Sequence, residues 1–368
     1  MFSLQEVCSE GFLLRVKMKN ISIVGGGISG CFLSYFLKKD FNVTLYEKSS
    51  QLGGLSRTHR TIENIPYQNG SHSLKNPENW ILELINKFIS IQKVEMKFGI
   101  NPFVDFSTYD FPLYIENLKS ISWHWYETIK LELESIKEEY TQETLRDFLI
   151  KNYGETVYNV FYNNYYKKMF GVDSEEILFM NEYKSDFTSI QFKKENNYYF
   201  PVNNGWNSLF EKLVEGVDVK LSSDVRVWDI ESDQIICTVR PDVFLLNQSS
   251  LKYRNVIFDI DSTMYKKNEY DTVLYPNHLP FISMSQLGKL FPNYEKNIVV
   301  KEYISDFSDG EEAYIPLTRA NIFNYNTLVE KYPKIIFAGR QGSYKNLSMT
   351  DCIKQSAEIS AKLKMREK

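Results

Sequence analysis

The chain has 368 residues, 43% hydrophobic and 24% charged, which is enough for the cores of two or three domains. A net charge of −4 leaves no basic excess to make nucleic acid its main partner. No apolar run reaches the length needed to cross a bilayer, so no membrane span is expected.

Residues 1–17 carry a short apolar patch at 11–16, without a basic start or a small-residue cleavage site, and read as a loose extension ahead of Met18. The stretch 20–58 organises the rest. Ile21, Ile23 and Val24 form a β-branched run that stops at Gly25, and Gly27 and Gly30 complete G-x-G-x-x-G. This is a strand turning into a helix over 28–37, with the glycines allowing a tight turn, close approach of a pyrophosphate and close helix packing. The helix start would direct N–H groups and its positive dipole end at phosphate. A second strand over 42–46 delivers Glu47 about twenty residues past the first glycine, where a carboxylate accepts both hydroxyls of a ribose. Strand, helix, strand and acid in one register predict a dinucleotide-binding βαβ unit. Gly53 and Gly54 add a second glycine turn, followed by Ser56, Arg57 and Thr58. This GGLSRT segment resembles the continuation past the ribose in FAD enzymes of the amine-oxidase and sugar-mutase kind, which favours FAD over NAD.

The polar turn 65–73 contains Gly70 and His72 and could return the backbone towards a flavin; by residue type alone, His72 also fits a loop histidine bonded to nearby backbone. Trp80, Ile81, Leu84, Ile85 and Phe88 recur at helical spacing and predict an amphipathic helix over 79–97. A longer helix over 118–140 ends in a solvated Glu/Lys face. Thr144 and Asp147 form a capping box for a helix that Gly154 closes. The next helix begins near Glu155 and is dense in aromatic residues on more than one face.

Period two around 187–192 and again at 196–201 reads as strand and turn, and 206–214 as helix. Short strands at 217–221, 225–228, 235–239 and 256–260 could rejoin the first sheet, whereas 275–281 and 297–303 read as strands of a separate antiparallel sheet. An apolar strand at 334–337, a glycine turn at 338–342 and a helix at 351–363 repeat the logic of the opening, with Arg340 placed to balance a diphosphate by a forked contact. Cys8, Cys31, Cys237 and Cys352 form no C-x-x-C pair and lie in apolar segments, as buried thiols of a cytoplasmic protein do. His59, His72, His124 and His278 have no ligand spacing, so no metal is expected.

Together these segments resemble the UDP-galactopyranose mutase family, FAD enzymes that interconvert the pyranose and furanose rings of a nucleotide sugar. NGSH at 69–72 resembles the family's glycine and histidine beside the flavin, although Lys75 and Asn76 stand near where a second histidine is expected. YGETVYNVFYNNYYKKMFG resembles a family helix, with Tyr165, Lys167, Lys168 and Gly171 matching. NNYYFPVNNGWNSLFEKL resembles its asparagine-tyrosine-phenylalanine turn and following helix, and FAGRQGSYKNLSM at 337–349 its final glycine-arginine turn.

The resemblance runs almost end to end and implies an α/β fold. Its expected parts are a Rossmann-like FAD-binding domain at 18–76, 206–262 and 332–368, a helical insertion at 77–160, and an antiparallel-sheet substrate domain at 161–205 and 263–331. FAD, active when reduced, would be held by Gly25, Gly27, Ile28, Ser29, Gly30, Glu47, Lys48, Gly53, Gly54, Leu55, Ser56, Gly70, His72, Val225, Gly339, Arg340 and Met349. A nucleotide-sugar substrate would meet Tyr165, Lys168, Phe170, Tyr198, Tyr314, Tyr344 and Asn346, with Tyr165 and Phe170 flanking the base. The implied chemistry is attack of flavin N5 on the anomeric carbon through a flavin–sugar adduct without net redox, with His72 as the candidate catalytic side chain. A cytoplasmic homodimer is compatible with this reading.

The departures fall on substrate binding. Phe187 and, by a looser match, Ser283 stand where the family has its two arginines at the diphosphate, Gln191 stands at a neighbouring arginine, and Asn346 stands for a tyrosine. Lys193 or Lys194, and Lys167 or Lys168, are available substitutes, unless all four are solvated surface lysines. Two alternatives remain: an FAD oxidoreductase of the amine-oxidase kind, and a flavin-binding protein whose catalytic site has decayed.

Overall fold

Ile21 and Ile23 are buried in the strand Asn20–Val24, which lies at the centre of a five-stranded, wholly parallel sheet. The computed structural model describes residues 18–103, 107–136, 143–179, 190, 196–202, 205–246, 251–262, 269–294, 298–305 and 311–366; the extension 1–17, with Cys8, lies outside them. Asn42–Tyr46 and then Asp218–Lys220 flank the central strand on one side, Gln234–Cys237 and Ile335–Phe337 on the other. Three distant parts of the chain thus build one sheet, buried along its central strand and partly exposed at the edge strands Asp218–Lys220 and Ile335–Phe337. Helix Ile28–Leu37 buries Phe32, Leu33 and Leu37 and is bonded to the C-terminal helix Met349–Arg366 through Ser356 Oγ on Ser29 O, 3.3 Å. Helix Asn207–Leu213 adds Phe210 to the same core.

A second sheet has seven strands in the order Glu311–Tyr314, Arg254–Asp261, Val299–Ser305, Phe281–Gln286, Thr272–Leu274, Phe98–Ile100 and Tyr109–Phe111. All its pairs are antiparallel except Thr272–Leu274 with Phe98–Ile100. Two small antiparallel sheets join Thr58–Arg60 to Pro66–Gln68, and Tyr198–Pro201 to both Leu74–Lys75 and Ile91–Val94.

Several expectations need correction. The strand around 256–260 does not rejoin the parallel sheet: Arg254–Asp261 pairs with Val299–Ser305 along seven residues of ladder. The region 77–160 is not purely helical, since Phe98–Ile100 and Tyr109–Phe111 extend the antiparallel sheet. The helix expected over 79–97 stops at Asn86, whose side chain accepts the Ile91 N–H, and Ile91–Val94 is a strand. The helix expected over 118–140 is two, Ile115–Ile121 and Trp123–Ser135; Ser122 sits between them in extended conformation and caps the second through Trp125 N, 3.3 Å, while 137–140 lie outside the described residues. Residues 227–229 form a short 3₁₀ turn closed by Asp229 on the Arg226 N–H, 2.6 Å. Residues 275–280 form a loop between Thr272–Leu274 and Phe281–Gln286. Within 187–192, only Ile190 is described, in a turn.

The capping box is present: Thr144 Oγ1 accepts the Asp147 N–H while Asp147 accepts the Thr144 N–H, at the start of Leu145–Tyr153. The aromatic segment is helical from Glu155 to Phe170, with a π-helical turn over Tyr158–Tyr162. Its buried Tyr158, Phe161, Tyr162, Tyr165, Met169 and Phe170 pack with Tyr153 and Ile282 in a second core. Cys31, Cys237 and Cys352 are buried free thiols. Among the described residues no helix is long and apolar enough to cross a membrane, and no cluster of His, Cys, Asp and Glu could hold a metal.

Candidate active site

A cavity of about 800 Å³ runs from the glycine turns of the parallel sheet to the antiparallel sheet, near the upper end of the range for ligand pockets. At one end the two glycine turns touch, with the Gly53 N–H donating to Gly26 O at 2.8 Å and a parallel bridge joining Gly27 to Gly53. A Cβ on Gly27 would meet nothing within 4 Å, so the backbone there faces open space that a phosphate can enter. Gly30 serves packing instead: a Cβ there would lie 1.9 Å from Gly25 O. Glu47 is buried beside the turn, its Oε2 accepting the Gly26 N–H at 2.6 Å and its Oε1 the Ser49 N–H at 2.8 Å. These bonds fix the carboxylate at the cavity edge.

Of the residues expected at a flavin, Gly25, Gly27, Ile28, Ser29, Glu47, Lys48, Gly53, Gly54, Leu55, Ser56, His72, Val225, Arg340 and Met349 line this cavity. Gly30, Gly70 and Gly339 are not on its wall; Gly339 supports it from behind, where a Cβ would come within 2.7 Å of Ser29 Oγ. Two buried polar atoms of the lining, Arg57 Nε and His72 Nδ1, have no hydrogen-bond partner. Buried donors and acceptors are rarely left so, and both fit a cavity built to receive a polar group. The open backbone at Gly27, the fixed Glu47 and these two atoms together suit a flavin dinucleotide.

His72 is held neutral: burial first, then the positive charge of Arg340 and the neighbouring His59, lower its pKa to about 4. His59 is also lowered to about 4, by burial and then by Arg57. Arg340 is fixed by donating to Leu347 O at 3.0 Å and Asn346 Oδ1 at 3.2 Å, and its guanidinium lies 5.7 Å from the Tyr314 ring centre.

The residues expected at the substrate divide sharply. Tyr198 lines the cavity, its ring 5.4 Å from Phe98. Tyr165 and Phe170 are buried in the aromatic core and are not on the wall; Phe170 stacks on Tyr166 at 5.9 Å. Lys168 is committed to the loop 275–281, donating to the carbonyls of Tyr275, Asn277, Leu279 and Phe281. Burial lowers its pKa to about 8. Tyr344 is buried elsewhere, donating to Lys252 O at 2.8 Å and stacked on Tyr325. Asn346 uses its amide on Arg340 and on both backbone groups of Ile315.

Tyr314 donates to Glu302 Oε1 at 2.7 Å, and Ser283, at the looser arginine match, donates to Oε2 at 2.8 Å. A carboxyl group thus occupies the surroundings of Ser283; burial raises its pKa, opposed by these two bonds and by Arg340. Lys167 is in an exposed ion pair with Asp173, and Phe187, Gln191, Lys193 and Lys194 lie outside the described residues.

The sequence reading missed Arg57, Lys75, Phe98, Phe111, Thr238 and Val239 as lining residues. Thr238 and Val239 could have been found, because they follow the carboxyl end of the parallel strand Gln234–Cys237, where open α/β sheets bind ligands. Phe98 and Phe111 carry no such local signal.

A family model described as UDP-galactopyranose mutase matches residues 160–346, half of the chain, and one described as NAD(P)-binding Rossmann-like domain matches 23–88. The chain is similar to dTDP-fucopyranose mutase of Escherichia coli, 22% identical over 93% of this chain and 98% of that protein. It is also similar to a probable UDP-galactopyranose mutase of Klebsiella pneumoniae, 20% identical over 93% and 94%. Its fold matches the crystal structure of reduced UDP-galactopyranose mutase with a TM-score of 0.77 at 14% identity, covering 94% of this chain and 93% of that one. The chain belongs to the UDP-galactopyranose mutase family of sugar isomerases.

Proposed function

We propose that the protein interconverts the pyranose and furanose forms of a nucleotide-linked sugar, with reduced FAD in the cavity. The observation that carries this reading is the continuity of the cavity from the open glycine turn, past the unpartnered His72 Nδ1, to Tyr198. Reduced FAD would supply a nucleophilic nitrogen, N5, for the anomeric carbon of the sugar. The N–H groups of Ile28 and Ser29 at the helix start would hold the cofactor's pyrophosphate, and Glu47 its ribose. His72, neutral at physiological pH, would offer a hydrogen bond without adding charge beside the ring system. Arg340, fixed on Leu347 and Asn346, would place a constant positive charge against developing anionic oxygen. Tyr198 and Phe98 would form the wall against which the sugar turns. Such positioning is what a protein adds to cofactor chemistry.

The similarity to dTDP-fucopyranose mutase makes dTDP-linked 6-deoxysugars candidate substrates beside UDP-galactose. The test is to load the protein with FAD, reduce it with dithionite, and follow UDP-galactopyranose and dTDP-fucopyranose by liquid chromatography. Furanose product under reducing conditions only, with a sugar mass on the flavin after borohydride quenching, is the expected result. Flavin bleaching and oxygen uptake on adding an amine or alcohol, without ring interconversion, would instead make it an oxidase. Tight FAD with no turnover of any sugar nucleotide would make it a decayed enzyme.

A further inference from the structure

Two guanidinium groups on the cavity wall are neutralised by their own segments. Arg226 forks onto Asp224 at 2.5 and 3.0 Å, and Arg240 onto Asp242 at 3.1 and 2.7 Å. Arg57, on the same wall, is not. Among the described residues it takes part in no ion pair, and its Nε is buried without a hydrogen-bond partner. His59, two residues on, is held neutral and supplies no opposite charge. A guanidinium keeps its charge in a protein, so this buried donor calls for an anionic acceptor.

The backbone that carries Arg57 is firmly held. Its N–H donates to Gly54 O at 3.2 Å, and the next residue, Thr58, is bonded four times. Thr58 N–H and C=O meet the two ends of the Asn207 amide, each at 2.8 Å, and Thr58 Oγ1 accepts Gln68 Nε2 at 3.1 Å and the Trp206 N–H at 3.0 Å. This segment also touches the phosphate end of the cavity. A Cβ on Gly53 would lie 3.1 Å from Arg57 Cβ, and one on Gly54 would lie 3.2 Å from Gly27 Cα. Arg57 therefore rises from the second glycine turn where that turn lies against the open backbone of the first.

Resting on the reading of the cavity as a flavin dinucleotide site, we propose that Arg57 binds the pyrophosphate of FAD, closing the phosphate site opposite the helix start at Ile28. The helix start offers neutral N–H groups and roughly half an elementary charge. Arg57 adds a full charge and a fork that suits two phosphate oxygens. A buried donor without a partner destabilises the protein before the cofactor arrives, so one side chain opposes folding of the empty protein and favours the loaded one.

The test is thermal unfolding of the full-length protein over a series of FAD concentrations, with FAD affinity read from flavin fluorescence, for the parent, Arg57→Met and Arg57→Lys. Arg57→Met should bind FAD about ten- to hundredfold more weakly, the loss of one charge-assisted contact, while its midpoint without FAD equals or exceeds that of the parent. Arg57→Lys, which keeps the charge without the fork, should recover part of the loss. The reduction potential of the bound flavin should be unchanged in both, because a phosphate contact acts equally on oxidised and reduced cofactor. FAD affinity within about twofold of the parent in Arg57→Met, a lower midpoint without FAD, failure of that variant to fold, or a shifted potential each overturns the assignment and leaves the mutase reading standing. If the unaltered protein takes up no FAD in either redox state, the mutase reading falls as well.

Discussion

The parallel sheet and the antiparallel sheet meet at one cavity and reach it by different routes. Where the parallel sheet contributes, the decisive groups are neighbours in sequence: Gly25, Gly27 and Gly30 follow their strand directly, and Glu47 directly follows the next one. At the other end, Phe98 and Leu274 come from neighbouring strands of the seven-stranded sheet and Lys75 and Tyr198 from paired strands of a small three-stranded one, four separate stretches aligned only by cross-strand pairing. On the proposed function, cofactor binding would depend on local backbone geometry and substrate binding on long-range assembly, and the two would be separable by mutation.

The sharpest break is Gly30→Val. A Cβ at that position meets Gly25 O, so the helix must move off the strand that carries the phosphate turn. Absorbance should show no bound flavin, and the urea midpoint should report a loss of about 3 kcal/mol. Lys168→Met tests the other region. It strips the loop 275–281 of a shared donor at four carbonyls, with an expected cost of about 2 kcal/mol in the same assay and FAD uptake near that of the parent protein. Loss of flavin in this variant would show that the two regions are not independent.

A smaller effect sharpens the comparison at the boundary, where His72 and His59 lie. Both are held neutral with a pKa of about 4, against an ordinary value near 6.5. Between these values the unfolded chain binds protons that the folded chain does not, so stability is full above about 6.5 and is lost as pH falls towards 4. Urea midpoints measured at pH 7 and pH 5 should converge in His72→Gln relative to the parent. The smallest change is Thr144→Ala, which removes the capping box far from the cavity. It should cost about 1 kcal/mol by thermal unfolding and leave flavin and nucleotide affinities unaltered.

Much of one end of the cavity was legible in the sequence. Fourteen residues expected at a flavin line the cavity, ten of them between 25 and 56, where a glycine turn needs only its own few residues to set its shape. The substrate end was less legible. Phe170 and Tyr344 have the residue type of a ligand platform, yet one stacks on Tyr166 and the other on Tyr325 in the core. Lys168 looked like a phosphate ligand and instead organises a loop more than a hundred residues away in sequence. An aromatic ring or an ammonium group serves a core or a site equally well by its chemistry, and only its neighbours distinguish the two.

The order of glycines, the apolar alternation and the acid after the second strand by themselves determined a nucleotide-binding βαβ start, and the later motifs the family. Tertiary structure alone decided that Arg254–Asp261 belongs to the antiparallel sheet, that Phe98–Ile100 and Tyr109–Phe111 extend it, and that Lys75 stands opposite Tyr198. The physical reason is that a period of two identifies a strand and its buried face, whereas the partner of that strand is chosen by burial and hydrogen bonding summed over residues far apart in the chain.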